Sequence, residues 1–205
     1  MSRAEEFIEL ARKRRSIRKY DDAPIPRETL LSIIEAASWA PSAGNRQDWE
    51  FTVITSGAVK KKMEEIVRSH WESILKKGAG GAVTEEIQRY AKNFDWFAGA
   101  PVLIVISAKR PEAFLHEMLG DAAEDTAGTG ISAAMAAQNL MLAAHASGIG
   151  SCCVTGPLAA QEALKDLLGI GRRKKIVCII ALGYPAEQPE TPARKPVERI
   201  VKVIE

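Results

Sequence analysis

The basic segment at residues 12–19, RKRRSIRK, holds six basic residues in eight positions. Arg14, Ser16 and Arg18 alternate within it, so their side chains share one face if the segment is extended. Two guanidinium groups and a hydroxyl on one face match a phosphomonoester, because arginine offers paired donors to phosphate oxygens. The segment therefore predicts a phosphate clamp. A solvated surface, a localisation-like patch and a nucleic-acid contact remain alternatives.

A second candidate site is the loop at residues 40–49, APSAGNRQDW, which is rich in small and polar residues. Such residues are usual between a helix and a strand, so an ordinary connection explains them equally well. The functional interpretation is a loop whose backbone approaches a ligand closely. Asn45 and Gln47 would then supply side-chain amides as hydrogen-bonding groups.

Familiar nucleotide-binding and hydrolase signatures do not fit this chain. Residues 128–133, GTGISA, match the glycine pattern of dinucleotide-binding folds. They follow an acidic, helix-like stretch rather than a strand, and no acidic residue stands about 20 positions later. We interpret these glycines as positions of close helix packing. No P-loop and no G-x-S-x-G sequence is present, which disfavours P-loop nucleotide hydrolysis and serine-hydrolase chemistry.

The cysteines and histidines predict neither disulfides nor a metal site. Of three cysteines, Cys152 and Cys153 are adjacent, a spacing that rarely satisfies disulfide geometry. No basic residue stands within several positions to lower either thiol pKa, so we predict buried, inert thiols. The three histidines are scattered, without the spacing of metal ligands, and no metal is expected.

The overall composition excludes several classes of protein. Hydrophobic residues make up 46% of the 205 residues and charged residues 26%, which is typical of a globular domain rather than a disordered chain. The formal net charge of +2 argues against a nucleic-acid coat or a polybasic membrane binder. The charged beginning, MSRAEEFIELARKRR, has no apolar signal core. We therefore expect a cytoplasmic protein that binds neither nucleic acid nor membrane.

Strands that could position these segments are evident from apolar runs. Residues 102–107, VLIVIS, and 176–182, IVCIIAL, predict strands buried on both faces. Residues 50–55, EFTVIT, predict another strand through their β-branched and aromatic content. The tail at residues 198–204, ERIVKVI, predicts a last strand or an extended arm.

Helices are predicted around these strands by apolar periodicity and by proline and glycine at their ends. One runs from residue 25 to just before Pro41, and Thr84 could cap another. The remaining predicted helices span residues 3–13, 57–77, 125–147 and 157–168. Since no change in composition marks a boundary, we predict a single α+β domain over residues 1–205.

Five sequence blocks together resemble the FMN-dependent nitroreductase family. Residues 14–20, RRSIRKY, are similar to its block R-[RH]-S-x-[RK]-x-[FY], and residues 40–49 to its loop A-P-S-x-x-N-x-Q-P-W. Residues 99–101, GAP, resemble its entry into a central strand. Residues 143–156, AAHASGIGSCCVTG, resemble its A-x-x-x-G-[IL]-G-[ST]-x-W-x-x-G segment, and residues 194–198, RKPVE, its C-terminal basic-proline block. The blocks keep the family's order across almost the whole chain.

The resemblance implies an FMN-binding site and assigns roles within it. The implied residues are Arg14, Arg15, Ser16, Arg18, Pro41, Ser42, Ala43, Asn45, Gln47, Thr155, Gly156, Arg194 and Lys195. Arg14, Ser16 and Arg194 would bind the phosphate, and Arg18 would lie toward the pyrimidine edge. A guanidinium there would stabilise the negative charge of the reduced ring near N1 and O2.

The other implied residues surround the isoalloxazine ring. Pro41, Ser42, Ala43 and Asn45 would come from the partner subunit, and the backbone N–H groups of residues 155–156 would approach flavin N5 and O4. No catalytic side chain is expected, because the flavin carries the chemistry.

Two positions depart from the family pattern. Asp48 stands where the family usually has proline, and Cys153 where it usually has tryptophan. Both would reshape the substrate side without removing an implied FMN ligand. Residues 57–97 match no family block, so the resemblance transfers no substrate.

The resemblance further implies a three-layer α+β sandwich with a mainly antiparallel central sheet. It would form a homodimer with two FMN sites and exchanged C-terminal arms. The implied activity is ping-pong hydride transfer from NADH or NADPH, through flavin N5, to an electron-poor small molecule such as a nitroaromatic or quinone. A reductive dehalogenase or a flavin-consuming enzyme on the same scaffold is an alternative. Polar residues within 57–97, such as Tyr90 or Lys92, would then close over the flavin.

Overall fold

An antiparallel sheet forms the middle layer of the molecule. The computed structural model describes residues 2–78, 85 and 96–205. Among these, the strands are β1 (Trp49–Ile54), β2 (Val102–Lys109), β3 (Gly150–Val154) and β4 (Lys174–Gly183). They lie in the order β1-β2-β4-β3, and each neighbouring pair is antiparallel. The two long apolar runs therefore become the interior strands β2 and β4, as their composition predicted.

Helices cover both faces of this sheet. In chain order they are α1 (Arg3–Lys13), α2 (Arg27–Ser38), α3 (Gly57–Gly78), α4 (Ala113–Leu119), α5 (Ala122–Ala127), α6 (Thr129–Ala146) and α7 (Gln161–Leu168). On one face α2 and α6 pack against the sheet, and on the other face α3 and α7 do so. The result is the predicted three-layer sandwich.

The alternation of side chains along β2 explains why both faces are covered. Ile104 and Ile106 belong to the core beneath α2 and α6, whereas Leu103 and Val105 belong to the core beneath α3 and α7. All four are fully buried. Because successive residues of a strand point to opposite faces, an unbroken apolar strand requires a layer on each side. Burying each such side chain stabilises the fold by about 1.5–3 kcal/mol.

The predicted helix over residues 125–147 is in fact two helices. α5 ends at Ala127, and α6 begins at Thr129. Between them Gly128 adopts a left-handed φ of 64°, which a continuous α-helix of L-residues cannot accommodate. Similarly, the predicted helix over residues 157–168 begins with a 3-10 segment, Gly156–Ala160, before α7.

Strand β3 was not predicted. The tail, for which a last strand or an extended arm was predicted, forms no strand. β3 has the sequence GSCCV. Its small and sulfur-containing residues do not give the β-branched and aromatic pattern that predicts a strand. The tail forms a short 3-10 helix, Val197–Arg199, and its last residues lie in no strand. Val203 and Ile204 are 72% and 84% exposed, so the tail is an arm. The predicted cap at Thr84 lies outside the described residues.

Candidate functional site

The basic segment lies in extended form along the outer edge of β3. α1 ends at Lys13, and Ser16 then forms a parallel bridge with Ser151 of β3. The Ile17 N–H donates to the Ser151 carbonyl at 3.0 Å. The extended conformation on which the predicted alternation of side chains depends is therefore present.

All three predicted clamp residues act on the pKa of a single side chain of β3, Cys152. The Cys152 thiol is buried, and burial raises its pKa. The guanidinium of Arg18, a hydrogen bond with Ser16 and the guanidinium of Arg14 act in the opposite direction. These three residues therefore lie near Cys152, and we call this set the basic half-site.

Arg15 binds the C-terminal stretch. Its guanidinium donates to the Arg14 carbonyl at 2.6 Å and to Thr191 Oγ1 at 2.5 Å. Ile17 lies beside Gly150, where an added Cβ would come within 3.0 Å of the isoleucine side chain. A glycine at this position thus allows the segment to approach β3 closely.

Contacts from distant parts of the chain hold the basic half-site in place. Glu187 Oε1 accepts from the N–H groups of Arg18 at 2.5 Å and Lys19 at 3.1 Å. The Arg18 guanidinium lies 5.9 Å from the centre of a Trp96 ring, within cation–π range. Tyr20 donates its hydroxyl to the Ile17 carbonyl. Burial raises the Tyr20 pKa, so the side chain remains a phenol and a donor.

The loop at residues 41–47, which we call the loop half-site, has an unusual backbone. Gly44, Asn45 and Gln47 have φ values of 59°, 52° and 51°, and such values are uncommon outside glycine. The Ser42 hydroxyl accepts from the Gln47 N–H at 3.1 Å, and the Gln47 amide donates to Asn45 Oδ1 at 3.1 Å. Pro41 and both amide side chains are exposed. The loop therefore presents its amides outward on a tightly turned backbone.

The loop half-site is anchored at the beginning of α6. The Ala43 N–H donates to Ser132 Oγ at 3.3 Å. Arg46 donates to the Ala127 carbonyl at 2.6 Å and to Asp48 Oδ2 at 2.9 Å. Asp48, which departs from the family pattern, therefore helps to orient Arg46 across the loop.

The two half-sites lie at opposite ends of α6 within one chain. The loop half-site contacts Ser132, whereas Arg14 and Arg15 line a pocket with His145 at the other end. His145 stands thirteen positions after Ser132, which corresponds to roughly 20 Å along the helix. A single chain does not bring the predicted residues into one cluster.

The segment after β3 is supported by a residue that sequence reasoning missed. Trp71 of α3 donates its indole N–H to the Gly156 carbonyl at 3.2 Å. Gly156 is buried beneath it, and Thr155 is exposed. Because Trp71 stands 85 positions away in sequence, no local pattern links it to this segment.

Arg194 and Lys195 lie in the C-terminal stretch of the chain. Both are exposed, and Arg194 lines a groove of 540 Å³ together with Arg12, Arg15 and the apolar side of α1. The structure thus places Arg194 in the same groove as Arg15.

The prediction that Cys152 and Cys153 are buried is correct for Cys152 and wrong for Cys153. Cys153 is exposed on the edge strand. A hydrogen bond with Cys178 is the largest influence on the Cys153 pKa and lowers it. Basic groups also lie near Cys152 although none is near in sequence. Pairing of β3 with β4 and with the basic segment creates these neighbours.

Among the described residues, no helix combines the length and apolar character that crossing a bilayer requires. Within the same part of the chain, no group of three or more histidine, cysteine or acidic residues could hold a metal ion.

Comparison with known proteins places these features in a family context. A profile of the nitroreductase family matches residues 11–184. Iodotyrosine deiodinase 1 of Rattus norvegicus is 29% identical over 98% of this chain and 70% of its own length. A BluB-like flavoprotein from Clostridium difficile 630 is 27% identical, with a TM-score of 0.82 over 100% of both chains. A nitroreductase with bound FMN from Bacteroides fragilis NCTC 9343 shares the fold, at 23% identity and a TM-score of 0.72 over 98% and 99% of the chains.

Proposed function

Because this chain belongs to the nitroreductase family, we propose that it is an FMN-dependent oxidoreductase. It would pass electrons from NADH or NADPH to an electron-poor small molecule such as a nitroaromatic or a quinone. The observation that carries the proposal is the grouping of Arg14, Ser16 and Arg18 near Cys152. FMN, when bound, supplies hydride transfer, and the protein supplies binding, orientation and electrostatic stabilisation.

The residues of the basic half-site suit an anionic flavin nucleotide. Arg14 and Ser16 offer charged and neutral donors to phosphate oxygens. Arg18 would stabilise negative charge on the pyrimidine side of the ring. Burial raises the pKa of the Cys152 thiol, so this side chain remains neutral and adds no opposing negative charge. The site therefore fits the cofactor in charge as well as in donor type.

We propose that the protein is a homodimer in which the loop half-site of one chain completes the basic half-site of the other. The separation of roughly 20 Å along α6 supports this arrangement, because one chain alone leaves the two sets of predicted ligands apart. The exposed apolar side chains of the tail support an exchanged arm. They are Val197, Ile200, Val201, Val203 and Ile204.

Reductive dehalogenation of an aromatic ring is the second candidate activity. The 29% identity to iodotyrosine deiodinase 1 over nearly the whole chain supports it. Both candidates need the same flavin site and differ in the acceptor. For either activity we propose a cytoplasmic location, where both NADH and NADPH are available.

The test begins with the absorbance spectrum of the purified protein and of the cofactor released from it. We expect a yellow protein that contains FMN and is bleached anaerobically by NADH or NADPH. The reduced protein is then mixed with a nitroaromatic, a quinone and a halogenated phenol. Reoxidation by the first two favours the oxidoreductase, and halide release from the third favours the dehalogenase. A colourless protein that retards oligonucleotides with steep salt dependence would contradict both.

A further inference from the structure

Trp71 links α3 to the short segment that follows β3. Its indole N–H donates to the Gly156 carbonyl at 3.2 Å, across 85 positions of sequence. Residues 57–97 match no family block, so the resemblance assigns Trp71 no role. Thr155 and Gly156, by contrast, carry the backbone N–H groups that the resemblance places near flavin N5 and O4. The hydrogen bond therefore joins a residue without an assigned role to a predicted part of the flavin site.

The position of the indole is set by the packing of α3 on the sheet. Met63 and Val67 are fully buried in the core beneath α3 and α7. Trp71 follows at the same spacing of four residues, is half-buried and packs against that core. Residues four apart share one face of a helix. Trp71 therefore extends the buried stripe of α3 toward the segment after β3.

Hydrogen bonds hold both peptide planes that meet at Gly156. The Thr155 carbonyl accepts from the Leu158 N–H at 2.9 Å, which holds the peptide that carries the Gly156 N–H. The Gly156 carbonyl accepts from Trp71, which holds the next peptide. Because residue 157 is proline, that second peptide has no N–H. A hydrogen bond can therefore fix its direction only through the carbonyl that Trp71 contacts.

The glycine at position 156 makes this second hydrogen bond important for orientation. A residue without a Cβ has more accessible backbone conformations than any other. Rotation about the Gly156 ψ angle would turn the 155–156 peptide relative to the 3-10 segment Gly156–Ala160. The bond from Trp71 opposes this rotation.

Packing alone is the simpler explanation for a tryptophan at the end of a buried stripe. Val154 and Ala160, on either side of Gly156, are buried in the same core. They anchor the two ends of the segment and leave the peptides between them to be fixed by hydrogen bonds. Packing of the ring also requires no particular direction of the indole N–H, whereas this N–H points at the Gly156 carbonyl.

We propose that Trp71 is a positioning residue for the backbone N–H groups of Thr155 and Gly156. The inference rests on the proposed function, in which those N–H groups approach flavin N5 and O4. A donor stabilises developing charge best when it is aimed before the reaction, so a loosened segment slows hydride transfer. FMN affinity depends instead on the charge-assisted bonds of the basic half-site to the phosphate. Loss of the indole N–H should therefore lower the rate of flavin reduction and spare the binding of FMN.

Replacement of Trp71 by 3-benzothienylalanine tests the N–H alone, because sulfur takes its place in a ring of similar shape. In the apoprotein we expect the backbone ¹⁵N order parameters of Thr155 and Gly156 to fall from about 0.85 toward about 0.6. In the FMN-loaded protein, bleaching by NADH or NADPH should slow by about five- to tenfold, the factor that one neutral hydrogen bond contributes. The FMN dissociation constant and the KM for the nicotinamide should not change.

Val67→Ala is the matched control, one turn earlier in the same stripe. It removes buried apolar contacts and keeps the indole N–H, so it should lower the melting temperature and leave the order parameters and the bleaching rate unchanged. An equal loss of rate in Val67→Ala would show that packing positions the segment and would overturn the inference. Unchanged order parameters and rate in the benzothienyl variant would also overturn it, while the proposed function stands. A parent protein that binds no FMN would overturn the proposed function and this inference together.

Discussion

The basic half-site and the loop half-site are built by different means. The basic half-site lies along a strand, with Ser16 bridged to Ser151 and Tyr20 hydrogen-bonded to the Ile17 carbonyl. The loop half-site is exposed, and its shape comes from left-handed residues and from contacts with the start of α6. In the first, the sheet sets the direction of each side chain. In the second, local backbone conformation does so.

This difference means that the two regions should fail in different ways. Loss of a partner of the basic half-site removes charge or a charge-assisted hydrogen bond, which costs roughly 1.5–3 kcal/mol each. Loss of a turn residue from the loop half-site adds backbone strain of about 1–2 kcal/mol.

Removal of residues 185–205 should have the largest effect. It deletes Glu187 and Thr191, which bind the backbone of Arg18 and the side chain of Arg15, along with the exposed arm. We expect FMN affinity to fall at least about a hundredfold, because two charge-assisted hydrogen bonds are lost, and dimers to dissociate. Size-exclusion chromatography with flavin absorbance measures both.

A shorter deletion, of residues 200–205, serves as the control for this truncation. It keeps Glu187 and Thr191 and should retain FMN affinity while weakening the dimer. A protein lacking residues 185–205 that stays dimeric and yellow would contradict the exchanged arm.

Arg14→Ala should lower FMN affinity about tenfold or more, since a charge-assisted hydrogen bond is lost. Arg12→Ala is the matched control, because Arg12 is an exposed residue of α1 whereas Arg14 is half-buried beside Cys152. Fluorescence titration of the apoprotein with FMN gives both dissociation constants. Equal FMN dissociation constants for the two variants would mean that Arg14 does not bind FMN.

Gly44→Ala tests the loop half-site through its backbone alone. An added Cβ would find its nearest neighbour at 3.9 Å, so the cost is the strain of a φ of 59°. We expect a loss of about 1 kcal/mol and a melting temperature lower by about 2–4 °C. Gly57→Ala, at a helical position with nothing within 4 Å of its Cβ, should not destabilise. Equal melting temperatures would mean that the loop tolerates the substitution by rearranging.

The double change of Cys152→Ser with Cys153→Ala should have the smallest effect on chemistry. Cys152 lies near the residues of the basic half-site, and Cys153 is exposed with a lowered pKa. The variant therefore tests whether either thiol takes part in hydride transfer. We expect hydride transfer within a few-fold of the parent, with some loss of thermal stability. Stopped-flow bleaching by NAD(P)H measures the rate. A hundredfold loss with FMN fully bound would show that the thiols take part.

Local patterns predicted most of the fold. The apolar runs of β2 and β4 required burial on both faces, and the amphipathic pattern of α1 and the broad apolar face of α2 located those helices. Patterns failed where a single backbone angle or a tertiary pairing decided the outcome. Gly128 separates α5 from α6 through its φ. The segment GSCCV becomes β3 because β4 and Ser16 pair with it.

The sequence by itself determined the residue types of the candidate site and the alternation of Arg14, Ser16 and Arg18. Alternation is a property of any extended chain, so it needs no knowledge of neighbours. Only the tertiary structure decided what these side chains meet. It brought Trp71 to Gly156, Glu187 to Arg18, and His145 to Arg14 and Arg15. Such contacts join residues far apart in the chain, and they arise from the packing of whole helices and strands rather than from any local preference.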